Sequence, residues 1–83
     1  MEWKQTIEGN HSHLEKTFVF NDFSEAFGFI TRVALLSEKA RHHPEWSQAW
    51  NRVNIKLSTH DAGNVITDKD HRLAQAIDAI ASD

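Results

Sequence analysis

Two periods of apolar residues divide the chain. Trp3, Gln5 and Ile7 alternate with Lys4, Thr6 and Glu8, which predicts a short strand over Trp3–Glu8. Gly9-Asn10 is turn chemistry. Leu14–Phe20 then puts Leu14, Phe18 and Phe20 on one parity and predicts a second strand, paired with the first as a hairpin. After Asp22 the period changes. Asp22 and Glu25 are spaced as a capping box, with Asp in place of Ser or Thr. Phe23, Phe27, Ile30 and Ala34 recur at helical spacing, as a stripe facing the sheet. Phe29, Val33 and Leu36 form a second stripe. A surface helix of a two-layer domain needs only one, so the second predicts burial against another subunit, with a merely broad core face as the alternative.

The helix must stop near His42, because Pro44 lacks an N–H and pushes His43 to extended backbone. Glu45–Trp50 predicts a strand and Asn51-Arg52 a two-residue turn, since Asn tolerates positive φ. In Val53–Thr59 the residues Val53, Ile55 and Leu57 alternate with Asn54, Lys56 and Ser58, the clearest strand of the chain. Asp61–Asn64 is a loop. Thr67, with Asp70 three residues on, starts a last helix whose buried face is Leu73, Ala76, Ile77 and Ile80. The order β-β-α-β-β-α predicts an α+β two-layer sandwich, a four-stranded antiparallel sheet with helices on one face. One domain should occupy residues 1–83.

Composition narrows the function classes. A chain of 83 residues buries a modest core and gains from association. It has no cysteine, hence no disulfide and no thiolate metal site, which fits a reducing cytoplasm. A net charge of −3 argues against a nucleic-acid partner, which calls for a basic patch. No apolar run is long enough to span a bilayer, and the opening MEWKQT lacks the apolar region of a signal peptide.

The candidate chemistry lies in "EKARHHPEWSQAWNRVNIKLSTH", Glu38–His60. His42 falls at the end of the long helix, with Glu38 one turn earlier, in reach of its ring. His60 ends the fourth strand on the parity opposite Val53, Ile55 and Leu57, so it leaves the main core and can face a cleft. Histidine suits proton transfer near neutral pH. The bland alternative is that these are surface and helix-end histidines with no chemistry. Adjacent residues on a regular helix point apart, but the break at Pro44 lets the rings of His42 and His43 line one pocket. A metal reading rests on His11 and His13, which share a strand face; no Cys or HExxH pattern supports it. His71, in the first turn of the last helix, should be exposed. Trp46 directly follows the His-His-Pro-Glu stretch and is a candidate ligand contact, core and interface being the alternatives. By spacing alone Asp70 is most simply a helix-start residue near the positive end of the dipole, with orienting a histidine as the lesser alternative.

The pattern E-x-x-x-H-H-P-x-W over Glu38–Trp46, V-x-I-x-L-S-T-H over Val53–His60 and T-x-x-D over Thr67–Asp70 resembles the pterin-4a-carbinolamine dehydratases. "DFSEAFGFITRVAL", Asp22–Leu35, resembles the family's long helix, and the likeness runs from about Trp3 into the last helix. The resemblance implies dehydration of 4a-hydroxytetrahydrobiopterin to quinonoid dihydrobiopterin, in tetrahydrobiopterin recycling, with no metal and no organic cofactor. It implies a homodimer formed by sheet extension or a homotetramer formed by packing long helices. It assigns the catalytic set to His42, His43, His60, Glu38 and Asp70. Substrate contacts would come from Arg41, His42, His43, Trp46, Ser58, Thr59, His60 and Asp61. His42 and His60 would be the acid/base pair, with His43 holding the pterin. Animal members also serve as dimerisation cofactors of a transcription factor, so a non-catalytic interaction module is the rival reading. Two departures stand out. Many members carry a helix before the first strand, whereas Trp3 already falls in the strand here. The loop "DAGNVITDKD" is altered in length, with Val65 where glycine is expected.

Overall fold

Alternation in the first half of the chain builds a hairpin whose strands are β1 (Lys4–Glu8) and β2 (His11–Val19). The computed structural model describes residues 2–82. Gly9, at φ 60°, makes the turn between these strands in the left-handed region that glycine adopts freely. β2 begins earlier than the alternation suggested. His11 and His13 lie inside it, paired with Glu8 and Thr6. The long helix α1 (Phe23–Ala40) follows, then β3 (Glu45–Ala49) and β4 (Arg52–Leu57). A short 3-10 turn, His60–Ala62, leads to α2 (Asp68–Ala81). The strands order as β1-β2-β4-β3, all antiparallel. This is the expected β-β-α-β-β-α sandwich with both helices on one sheet face.

Val53, Ile55 and Leu57 are wholly buried, as their parity required. Across the ladder Leu14 faces Leu57 and Phe18 faces Val53. The rings of Phe18 and Phe20 lie 4.8 and 4.9 Å from that of Phe29. Asp22 caps α1 by accepting the Glu25 N–H at 2.8 Å, while the Glu25 carboxylate reaches back one residue further, to the Asn21 N–H. Lys16 and the indole N–H of Trp3 both donate to Asp78 of α2, which ties the hairpin to the second helix.

The face that α1 buries shares only Ile30 with the stripe expected to face the sheet. Ala26, Phe29, Ile30, Val33 and Ser37 pack against the sheet, while Phe23 and Phe27 are more than half exposed and Ala34 is intermediate. Phe29 and Val33, assigned above to a subunit interface, are therefore core. The small residues Ala26 and Ser37 at either end of the stripe let the helix approach the sheet. Ser37 tolerates burial because its hydroxyl donates to the Val33 carbonyl at 2.7 Å. In α2, Leu73 and Ile77 are buried and Ile80 packs part-buried against the core, as expected, while Ala74 is buried where Ala76 was expected.

The β3–β4 turn also shifts by one residue. Ala49 pairs with Arg52, so Trp50-Asn51 makes the turn, and Trp50 holds the positive φ of 51°. β4 ends at Leu57, and Thr59 instead forms a single bridge with Val65. Among the described residues no helix is long and apolar enough to cross a membrane.

Candidate active site

Two chain breaks converge on the second helix. α1 ends because Arg41 turns left-handed, at φ 54°, with its N–H and that of His42 closing on the Glu38 and Ser37 carbonyls. This turn sends His42 and His43 in different directions. The His42 ring goes inward, where Nε2 meets Asp70 Oδ1 at 2.5 Å. The His43 ring stays at the surface, where Nε2 meets Glu38 Oε1 at 2.8 Å. Glu38 thus serves His43, not His42 as expected. The helix end opens before another turn is complete, and the ring one residue further on comes within reach of the carboxylate.

Asp70 has no exposed surface. Its Oδ2 accepts the Thr59 hydroxyl at 2.7 Å and the Thr67 N–H at 2.9 Å. Thr59 and Thr67 share a 2.5 Å contact between hydroxyls. Because Thr59 spends its proton on Asp70, Thr67 is the donor there. The carboxylate therefore joins the end of α1, the end of β4 and the start of α2. Among the described residues no buried side-chain polar atom is left without a partner.

His60 opens the 3-10 turn and stands exposed. Its Nδ1 lies 3.0 Å from the Asn64 side-chain oxygen, which can only accept, so Nδ1 carries the proton. A common arrangement emerges. Each of the three histidines has one ring nitrogen on an oxygen acceptor, through Asp70, Glu38 or Asn64. With that nitrogen fixed as N–H, the neutral ring offers its lone pair from the other, and the protonated ring donates from it. These free positions are Nδ1 of His42 and His43 and Nε2 of His60.

Between the end of α1 and the start of α2 lies a cleft of about 320 Å³, lined by Leu36, Ala40, His42, Lys69 and Leu73 among others. On the far side of the sheet a second cleft, of about 420 Å³, takes in Ser58, Asn64, Glu45 and Lys56. The cleft at His42 does not include His60. Arg41 and Asp61 are exposed, and Trp46 is 39% exposed on β3, opposite Ile55. His71 is exposed, as expected. His13 is paired with Glu15 at 3.4 Å. Among the described residues no group of three or more His, Cys, Asp or Glu is arranged to hold a metal. Sequence reasoning missed Asn64 as a partner of His60 and Thr67 as a partner of Thr59. The signal for Asn64 was its place after Gly63, in turn chemistry that favours positive φ; its φ is 62°.

The sequence profile of the family described as Pterin 4 alpha carbinolamine dehydratase matches residues 1–80. The chain belongs to this family. A relative from Nitrobacter winogradskyi, provisionally named a pterin-4-alpha-carbinolamine dehydratase, is 52% identical over 79 residues, covering 95% of this chain and 75% of its own. A relative from Bradyrhizobium diazoefficiens with the same provisional name is 61% identical over 66 residues, covering 80% of this chain and 65% of its own. The crystal structure of a "transcriptional coactivator/pterin dehydratase" from Brucella melitensis superposes with a TM-score of 0.85 at 42% identity, over 95% of this chain and 81% of that one. A pterin dehydratase-like protein described as a RuBisCO assembly factor in the alpha-carboxysome superposes with a TM-score of 0.80 at 27% identity, over 98% and 90%. The pterin dehydratase fold is thus shared across proteins with different stated roles.

Proposed function

We propose that this pterin dehydratase family member converts a 4a-hydroxytetrahydropterin, with 4a-hydroxytetrahydrobiopterin as the expected substrate, to the quinonoid dihydropterin and water. The observation that carries the reading is the buried Asp70, which holds His42 through Nε2 and is itself held by Thr59, the residue before His60. A buried carboxylate spent on orienting one imidazole is a costly arrangement for a surface histidine and a useful one for a proton donor or acceptor.

Dehydration breaks the C4a–O bond and the N5–H bond. The hydroxyl needs a proton to leave as water, and N5 must give one up. One histidine, protonated, donates to the hydroxyl; another, neutral, accepts from N5. The net proton count is unchanged. His42 and His60 take these roles, His43 holds the pterin, and Ser58, Thr59, Arg41, Trp46 and Asp61 supply the remaining contacts. The activity is expected to survive extensive chelation, because each step uses only imidazoles.

The test is the dehydration rate of each separated 4a-stereoisomer. His42 and His60 come from different elements and approach the ring from different sides, so each is the better acid for one isomer. Positioned acid–base catalysis supplies about 10²–10⁴-fold. His42→Ala and His60→Ala should each remove most of that for one isomer, and the double variant for both. Wild-type protein that leaves the uncatalysed rate unchanged would refute the enzyme reading. A second reading, an interaction module, is favoured by the exposed Phe23, Phe27 and Leu35 on α1 and by the stated roles of the two structural relatives. Partner binding that survives the double histidine variant would belong to that role.

A further inference from the structure

We infer that Ser12, on β2 and outside the Glu38–His60 stretch, is a positioning residue for both His42 and His60. The inference rests on the reading of those two as acid and base. Both histidines owe their ring orientation to the segment from Thr59 to Asp70. His60 leans on Asn64, and His42 on Asp70, which is held by Thr59 and Thr67. The loop is folded back on itself by four backbone bonds: Thr59 N–H to Val65, the Ala62 and Asn64 N–H groups to Thr59, and Gly63 N–H to His60. Those bonds shape the loop but do not anchor it to the sheet.

Ser12 supplies an anchor. Its N–H donates to the Asn64 carbonyl at 3.0 Å, and its hydroxyl accepts the Ile66 N–H at 2.9 Å. The two bonds bracket Val65. One holds the residue that orients His60; the other holds the residue just before Thr67, which reaches Asp70. A hydroxyl is needed because a strand backbone presents one acceptor per residue, and the Ile66 amide lies off the ladder. Ser12 therefore sets where the loop sits against the hairpin, and through it the direction of both rings.

Ser12→Val and Ser12→Thr are near-isosteric and differ in the hydroxyl. In the full chain with ¹⁵N-labelled histidine, long-range ¹⁵N–¹H spectra should show His60 as the Nδ1–H tautomer in wild type and Ser12→Thr. Ser12→Val should shift it toward Nε2–H. In dehydration assays Ser12→Val should lose about tenfold in kcat, part of the ~10²–10⁴-fold that positioned acid–base catalysis supplies, with KM changed by less than about twofold. Ser12→Thr should restore kcat. An unchanged tautomer and an unchanged kcat in Ser12→Val would overturn the inference. Should wild type show no dehydration, the enzyme reading fails, while the tautomer shift still tests the anchor. If Ser12→Val does not fold, amide exchange in wild type decides: an Ile66 N–H exchanging as fast as an open loop contradicts the anchor.

Discussion

Glu15 stands on the open face of the sheet, where its register partner is Lys56. A hydrogen bond from the Asn54 side chain holds its carboxyl below the usual range, with His13 and Lys56 adding to the effect and burial opposing it. Folding therefore favours the ionised form. That contribution is present above the free carboxyl's value of about 4.3 and is lost as pH falls through the lowered one. Glu15→Gln should be less stable than wild type at neutral pH, by no more than about 1 kcal/mol, and the gap should close in acid, once the carboxyl is protonated in both the folded and the unfolded chain. Thermal melts at neutral pH and in acid check this; an equal gap at both would contradict it. The same scale shows what a linear sequence hides. Asp70 lies 28 positions from His42, and its spacing from Thr67 spoke first of a helix start. Both roles are real, because one carboxylate oxygen takes the Thr67 N–H and the other takes the imidazole. Spacing left a histidine-orienting role for Asp70 as the lesser reading, and the resemblance raised it. The pairing of Glu38 with His43 instead of His42 depended on the left-handed Arg41, and no residue in the sequence marks that position as glycine would have done.

At the scale of elements, strand parity was legible and helix azimuth was not. Alternation has a period of two, so Val53, Ile55 and Leu57 admit one arrangement. A helix with apolar residues over a broad arc admits several, and Phe23 and Phe27 outweighed Ala26 and Ser37 by size. Packing chose the smaller residues, since these allow α1 to approach the sheet. The turn after β3 moved for a related reason: pairing of Ala49 with Arg52 placed the positive φ on Trp50, a residue that turn propensity would not select. Arg41 poses the sharper case. A non-glycine residue in the left-handed region costs about 1 kcal/mol or more, and helix ends of this kind favour glycine. Arg41→Gly should therefore raise stability by up to about 1 kcal/mol, or about 4–8 °C for a domain of this size. It should also weaken pterin binding if the guanidinium contacts substrate. Melting curves and KM measured on the same preparation separate the two. A variant with a higher Tm and unchanged KM would keep the turn and remove Arg41 from the binding set.

For the whole molecule, the exposed stripe on α1 sets the expectation. Phe23 and Phe27 are 54% and 55% exposed and stack with their rings 6.1 Å apart, and Leu35, two turns on, is 69% exposed. Apolar groups aligned along one helix face mark an association surface, and a small domain gains stability when such a surface is covered. The self-association anticipated for Phe29, Val33 and Leu36 thus moves to the opposite side of the helix, because two of those residues are core. At micromolar concentration, light scattering should give a mass at least twice the 9.5 kDa of one chain. Phe27→Glu should return it to one chain without unfolding, since Phe27 contributes nothing to the buried core. A wild type that runs as a single chain would sink the association surface. His42, Asp70, Thr59, Thr67, His60 and Asn64 all interact within one chain. The dissociated variant should therefore keep its kcat at assay temperatures below its Tm, with the loss confined to thermal stability. A kcat that falls with dissociation while the Tm holds would mean that a neighbouring chain completes the site.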